Sequence, residues 1–285
     1  MQNMINKVSY MENRELKKIA NEVRRGSITA VYSGKAGHPG GSLSAADIIT
    51  FLYFEEMKVN PADPDWKDRD RFVLSKGHTA PALYAAMAER GYFDKEELKT
   101  CRHLGTRLQG HPSMRNLPGV DMSTGSLGQG VSAVVGIALA GKIDHADYRV
   151  YTMLGDGECE EGQVYEAAMF AAAKKLDNLV MIIDYNGLQI DGDIREVNDP
   201  TPFDTKFEAF NCHVITINGH DFDEIRAAFK EARETKGQPT VIIARTIKGK
   251  DVSYMENQAE WHGKAPNDEL YARAMSDLDA VAETL

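Results

Sequence analysis

Cysteine is scarce in this chain. Its three cysteines, Cys101, Cys159 and Cys212, are widely spaced and form no CxxC pair. That excludes a disulfide framework and a zinc site of the CxxC kind, and it fits a reducing cytosol. Long hydrophobic runs are missing as well. No apolar stretch reaches the roughly eighteen residues of a membrane span, and Met1 to Ala20 has no apolar core of signal-peptide length. Positive charge is in deficit, with 33 Lys and Arg against 43 Asp and Glu and a formal net charge of −10. This argues against general nucleic-acid binding and against an anionic membrane surface. Anionic small ligands stay open, because a local metal and a few basic groups can outweigh the global field. No repeat, low-complexity segment or strong linker is visible. With 42% hydrophobic and 27% charged residues over 285 positions, the composition is that of an ordinary globular chain. A single domain over 1–285 with a cytoplasmic location is expected.

The chain is organised around one stretch. Val150 to Leu154 is apolar and β-prone and stops at Gly155-Asp156-Gly157. Gly162 to Lys175 reads as an Ala-rich helix. Leu179 to Asp184 reads as a second strand, closed by Tyr185-Asn186-Gly187. In a parallel sheet both strands end on one side, so Asp156 and Asn186 meet where open α/β sheets bind ligands. A carboxylate and an amide oxygen are hard donors suited to Mg²⁺ or Ca²⁺. The two glycines let a phosphate approach the backbone, and a helix begins just beyond. The stretch therefore reads as a divalent-metal diphosphate clamp. A lone Gly-Asp-Gly is more often a tight turn with a capping Asp; Glu161-Gly162 and the placement of Asn186 favour the clamp. An EF-hand starting at Asp184 fails, because Leu188, Gln189 and Arg195 occupy positions that need an oxygen ligand, a glycine and a glutamate.

Elsewhere the spacing predicts a helix over Met11–Ser33, then a loop, Ser33 to Gly41, dense in glycine around His38. Ser44 with Asp47 is expected to open a helix over Ala45–Met57. A strand Arg71–Ser75 leads to Lys76-Gly77-His78 and a helix Ala80–Arg90 ended by Gly91. Asp94 with Glu97 caps a short helix. A third glycine-flanked histidine, His111, precedes the turn Gly125-Ser126-Leu127-Gly128-Gln129-Gly130 and a helix Val131–Ala140. That turn lacks the features of a P-loop or a Rossmann fingerprint, and helix packing or ligand contact explains it equally well. Further elements are expected at Phe203–Phe210, Cys212–Ile217, Asp221–Thr235, Thr240–Thr246 and Asp268 to about Val281. A loop between the last two carries Lys248 and His262, while His145, His213 and His220 lie in ordinary surroundings. Alternating strands and helices predict an α/β fold: a doubly wound, mostly parallel sheet with helices on both faces.

Taken in order, these motifs closely resemble the N-terminal half of transketolase, over nearly the whole chain. The resemblance implies a thiamine diphosphate-binding fold and the N-terminal subunit of a split, two-chain transketolase. The pyrimidine-binding and C-terminal domains would lie on a partner subunit, in a heterotetramer. By the resemblance, Asp156, Asn186 and the carbonyl of Leu188 match ligands of Mg²⁺, with Ca²⁺ an alternative. Gly157, Lys248 and His262 match diphosphate neighbours, with His78 beside them. Gly125 and Leu127 match aminopyrimidine contacts, and Ile190 a thiazolium contact. His38, His111 and His262 match catalytic histidines of the substrate channel, expected to titrate near neutral pH. Glu161 matches a buried glutamate linking paired active sites. The implied reaction is transfer of a two-carbon ketol unit between sugar phosphates, inactive without the partner. Two departures stand out: Asp251 where the family usually keeps glycine, and Thr79 for a usual alanine. Two other readings compete. One is the α subunit of a 2-oxo acid dehydrogenase E1 enzyme, which shares the Gly-Asp-Gly to Asn signature. The other is a non-catalytic thiamine diphosphate-binding subunit.

Overall fold

The computed structural model describes residues 10–285. Residues 1–9, part of the N-terminal stretch discussed above, lie outside it. In chain order the elements are α1 (Asn13–Ser33), α2 (Pro39–Phe51), β1 (Arg71–Leu74), α3 (Ala80–Arg90), α4 (Gln129–Ile143), β2 (Val150–Gly155), α5 (Gly162–Ala173), β3 (Leu179–Tyr185), β4 (Leu188–Gln189), β5 (Gly192–Asp193), α6 (Ile194–Val197), α7 (Phe203–Ala209), β6 (His213–Asn218), α8 (Phe222–Glu234), β7 (Thr240–Arg245) and α9 (Asp268–Thr284).

Five strands form one sheet in the order β1-β2-β3-β7-β6, and every pair in it is parallel. The strands read as near-continuous apolar runs because both faces are covered. Along β3, Val180 and Ile182 join one core with Leu16 of α1, Ile48 of α2, Leu83 of α3 and Phe229 of α8. Leu179, Met181 and Ile183 point the other way, into a core with Val134 of α4, Val164 of α5 and Phe207 of α7. The doubly wound expectation is met. A third cluster of Ile28, Leu43, Val252, Met255, Trp261, Ala274 and Leu278 packs the loop after β7 against α1, α2 and α9.

Local chemistry sets the element ends. Asp221 accepts from the N–H groups of Asp223 and Glu224 at 2.8 and 3.2 Å to start α8. Asn267 does the same for α9 through the Leu270 N–H at 2.9 Å. Gly91 ends α3 at φ 94°, in the left-handed region open to glycine. Asp94 accepts from the Glu96 N–H at 2.9 Å, as expected of a cap.

Three local expectations are corrected. The glycine-rich loop ends sooner than expected, because Pro39 opens α2 and Gly40 and Gly41 form its first turn. Those glycines serve close packing: a Cβ on Gly40 would lie 3.0 Å from the Trp261 carbonyl, and one on Gly41 2.8 Å from the Thr79 methyl. Ser44 and Asp47 consequently fall inside the helix and cap nothing. Ser44 Oγ donates to Asp184 at 2.6 Å, and Asp47 binds Arg24 and His220. After Asn186, where the sequence suggests no strand, Leu188–Gln189 and Gly192–Asp193 form the small antiparallel ribbon β4-β5.

Candidate functional site

The carboxyl ends of β1, β2, β3 and β7 converge on one cavity of about 520 Å³, in the size range of small-molecule sites. Leu127, Asp156, Gly157, Asn186, Leu188, Ile190, Lys248, His78 and His262 all line it. Nine of the residues singled out in the sequence are thereby brought together, from segments up to 184 positions apart.

On one side of the cavity Asp156, Asn186 and Lys248 are each bonded into the scaffold. Asp156 is 2% exposed, and its two oxygens accept from Gly157 N–H at 2.9 Å and Gly187 N–H at 2.6 Å. One carboxylate thus fixes two adjacent turns. Burial, and then the neighbouring Asp184, push this carboxyl up to about 6 against those two N–H bonds. Asn186 Oδ1 accepts from Leu188 N–H at 3.1 Å. Lys248 Nζ donates to the Leu188 carbonyl at 2.7 Å and to His262 Nδ1 at 2.9 Å. An ammonium only donates, so His262 carries its proton on Nε2, the free nitrogen. Burial lowers Lys248 to about 8, although Asp156 opposes this.

Below lies a hub that the sequence reading missed. Asp184 is fully buried and pairs with Lys76, itself 1% exposed. It also accepts from Ser44 Oγ, Thr246 Oγ1 and Asn186 Nδ2. Burial would raise this carboxyl, but Lys76 and the two hydroxyls hold it below the ordinary value. The available signal was a charge closing an otherwise apolar strand. Glu158 was missed too. It is buried and accepts from Ser75 Oγ at 2.6 Å, Gly128 N–H at 2.9 Å and Gly155 N–H at 3.0 Å, tying the two glycine turns together.

The other side is a histidine cluster. The His38 ring lies 5.0 Å from His78, 5.4 Å from His262 and 6.5 Å from His111, centroid to centroid. His78 and His262 stack at 5.0 Å. Gly125, at φ 150°, sits against His111, where an added Cβ would lie 3.0 Å from the ring. His38 Nδ1 is buried and has no partner among the described residues. The expectation of titration near neutral pH is overturned for this chain by itself. Burial, reinforced by nearby cations and rings, pushes His38 down to about 4 and His262 to about 3. His78 falls well below the ordinary value for the same reason, and burial with Arg102 lowers His111. The cluster is neutral at pH 7, and a neutral imidazole both donates and accepts. Anionic oxygens brought among these rings would raise them again.

Glu161 stands apart. It is exposed on this chain rather than buried, packed beside Gly128. Ile190 is 63% exposed on the cavity rim.

The donor set fits a hard divalent cation. Asp156, the Asn186 amide oxygen and the Leu188 carbonyl supply three oxygens of the right kind, and burial of Asp156 beside Asp184 is unfavourable without a cation. Among the described residues no group of three or more His, Cys, Asp or Glu converges, consistent with a set holding a single carboxylate.

Residues 15–278 match the family described as transketolase, thiamine diphosphate binding domain. The chain belongs to the transketolase family. It is 46% identical over 265 residues to a 6-deoxy-6-sulfo-D-fructose transketolase subunit of Clostridium sp. (strain MSTE9), covering 93% of this chain and 96% of that one. It is 42% identical over 275 residues to an apulose-4-phosphate transketolase subunit from Phocaeicola vulgatus, covering 96% and 97%. The crystal structure of Campylobacter jejuni transketolase superposes with a TM-score of 0.89 at 36% identity, over 94% of this chain and 43% of that one. The match decides between the two enzyme readings in favour of transketolase over the E1 α subunit. It also accounts for the fold, an α/β thiamine diphosphate-binding domain. Among the described residues no helix is long and apolar enough to cross a membrane.

Proposed function

We propose that this chain is the cofactor-holding half of a two-chain transketolase, acting in the cytoplasm on phosphorylated or similarly anionic sugars. The convergence of Asp156, Asn186, the Leu188 carbonyl and Lys248 beside four neutral histidines carries this reading. Asp156, Asn186 and Leu188 would hold Mg²⁺, with Ca²⁺ a workable substitute, and the metal would hold the diphosphate. Lys248, Gly157 and His262 would receive the diphosphate oxygens. Leu127, Gly125 and Ile190 would flank the rings of the cofactor. When bound, thiamine diphosphate supplies the nucleophile and electron sink for carbon–carbon cleavage.

This chain's own residues would bind, orient and move protons. His262 presents an Nε2–H donor fixed by Lys248. The His38 ring stands 5.4 Å from that of His262, and its Nδ1 has no partner among the described residues. With His111 they would hydrogen-bond sugar hydroxyls and exchange protons with the developing alkoxide, becoming better bases as anionic oxygens arrive. Exposed Glu161 fits a residue that is covered when a partner chain docks.

The two subunit-named relatives match this chain over nearly their full lengths, which supports a partner chain; the assembly proposed with it is a heterotetramer of two copies of each. The decisive assay mixes purified chain with its candidate partner, thiamine diphosphate and Mg²⁺. Ketol transfer is measured from xylulose 5-phosphate to ribose 5-phosphate, a pentose phosphate pathway reaction. A parallel panel uses 6-deoxy-6-sulfo-D-fructose and apulose 4-phosphate, the sugars in the relatives' names. Activity is expected only in the mixture. Turnover by this chain alone, or a mixture that binds cofactor and turns over no sugar, would refute the proposal, the latter favouring a non-catalytic subunit.

A further inference from the structure

His220 was assigned nothing from sequence, yet it occupies the junction of four segments. It lies in the turn between β6 and α8, where its own N–H donates to Asn218 Oδ1 at 3.0 Å. Its Nε2 lies 2.9 Å from the N–H of Ile247. A backbone N–H only donates, so Nε2 must be the lone-pair nitrogen and Nδ1 must carry the proton. Nδ1 in turn donates to Asp47 Oδ2 at 2.7 Å. Asp47 is buried in α2 and bound by Arg24 of α1, at 3.3 Å between Nη1 and Oδ1 and through a second, shorter contact. Burial opposes charge on Asp47, but Arg24 and His220 hold its carboxyl down at about 2.

Arg24 continues the network. Its Nε faces Asp251 Oδ2 at 3.4 Å, and the other oxygen of Asp251 is 2.6 Å from Lys250 Nζ. Asp251 has φ 69°, the left-handed region that favours glycine. The residue that departs from the family thus keeps the glycine backbone and adds a carboxylate facing Arg24. The network grips the loop at Ile247 and at Asp251, one residue before Lys248 and three after it.

Lys248 needs this grip. No carboxylate bonds its ammonium; its two acceptors, the Leu188 carbonyl and His262 Nδ1, are neutral. Its position is set by its backbone, which is anchored by Ile247 N–H on His220, by Gly249 N–H on the Gly40 carbonyl at 2.9 Å and by its own carbonyl accepting from Asn257 N–H at 2.9 Å.

We infer that His220 is a positioning residue for the cofactor site: its neutral ring transmits the fixed Arg24–Asp47 pair to the backbone at Ile247 and so holds Lys248 and His262 in place. The inference rests on the proposed function insofar as Lys248 receives the diphosphate. It acts through Lys248 and touches neither substrate nor cofactor.

Three variants of the full chain separate its two ring nitrogens. His220→Gln keeps an acceptor near the Nε2 position, His220→Asn keeps only a donor near Nδ1, and His220→Leu keeps neither. Hydrogen exchange by mass spectrometry on the purified chain reads the loop directly. Peptides covering 246–258 are expected to exchange about tenfold faster in H220N and H220L, the scale of one lost hydrogen bond, and at the wild-type rate in H220Q. With the partner subunit, KM for thiamine diphosphate is expected to rise about tenfold in H220N, with kcat at saturating cofactor unchanged and KM restored in H220Q. The Gln–Asn pair decides the matter even if H220L does not fold. Unchanged exchange in H220N, H220Q no better than H220N, or a kcat loss that saturating cofactor does not repair would each overturn the inference. Failure of the wild-type mixture to transfer ketol units counts against the proposed function alone, and the exchange data then decide the His220 contact.

Discussion

The two sides of the cavity are built on opposite plans. On the side of Asp156 and Lys248, each polar side chain is held by hydrogen bonds: Asp156 by two backbone N–H groups, Asp184 by Ser44 and Asn186, and Lys248 by the Leu188 carbonyl. On the histidine side, the rings pack against one another, and His38 Nδ1 has no partner among the described residues. A side that must fix a multiply charged group benefits from preorganised dipoles, since these need no rearrangement when charge arrives. A side that must exchange protons with a changing substrate needs open valences. The contrast predicts that substitutions on the histidine side damage turnover, and those on the other side damage binding or folding.

The largest expected effect tests the histidine side. In the assembled enzyme, His38→Ala should lower kcat by about 10²- to 10⁴-fold, the range of lost acid–base catalysis. Thiamine diphosphate affinity, read by titration calorimetry, should stay near wild type. A loss of affinity with kcat preserved would erase the distinction between the two sides.

Next comes the hub. Lys76→Met leaves Asp184 buried without its cation and should cost about 3–5 kcal/mol of stability by urea denaturation. Little change would mean that the hydroxyls of Ser44 and Thr246 suffice.

Asp156→Asn keeps the shape but removes the charge. Metal and cofactor affinity should fall by about 100-fold, as for disrupted metal sites, while the fold survives. Unaltered Mg²⁺ dependence of thiamine diphosphate binding would remove Asp156 from the metal set.

A smaller effect comes from acid. In the unfolded chain an imidazole takes up a proton near its ordinary value of about 6.5. In the folded chain His38 does so only at about 4 and His262 at about 3. Between those values the unfolded state binds more protons, so stability falls as pH drops through this window. The urea midpoint should decline from pH 7 to pH 5, with a shallower slope in H262N. An identical slope in that variant would show that the ring is not buried neutral. The smallest effect is expected outside the cavity: Glu161→Gln should leave the stability of the separate chain unchanged and alter only the assembled enzyme.

Much of this was legible in the residues. The apolar runs that stop at Asp156 and Asn186 pointed to strands whose carboxyl ends carry those two residues, and the structure pairs them in parallel, because period and punctuation are local properties. The glycine-flanked histidines and the ordered motifs carried the family resemblance, and with it the residues expected around the cofactor, most of which the structure gathers on one cavity. Asp184, Glu158 and His220 were not legible as functional, since each acts only through partners far away in sequence. The start of α2 was misread because glycine in Pro39-Gly40-Gly41 usually signals a break, whereas here it admits the Trp261 carbonyl and Thr79.

The sequence by itself determined the elements, their alternation and the kinds of oxygen and nitrogen donors available, because these depend on backbone preference and side-chain chemistry. Only the tertiary structure decided which donors are already spent and which are free. Burial and long-range hydrogen bonding did that, neutralising the histidines, charging Asp184 and engaging His220 in the anchoring of Lys248.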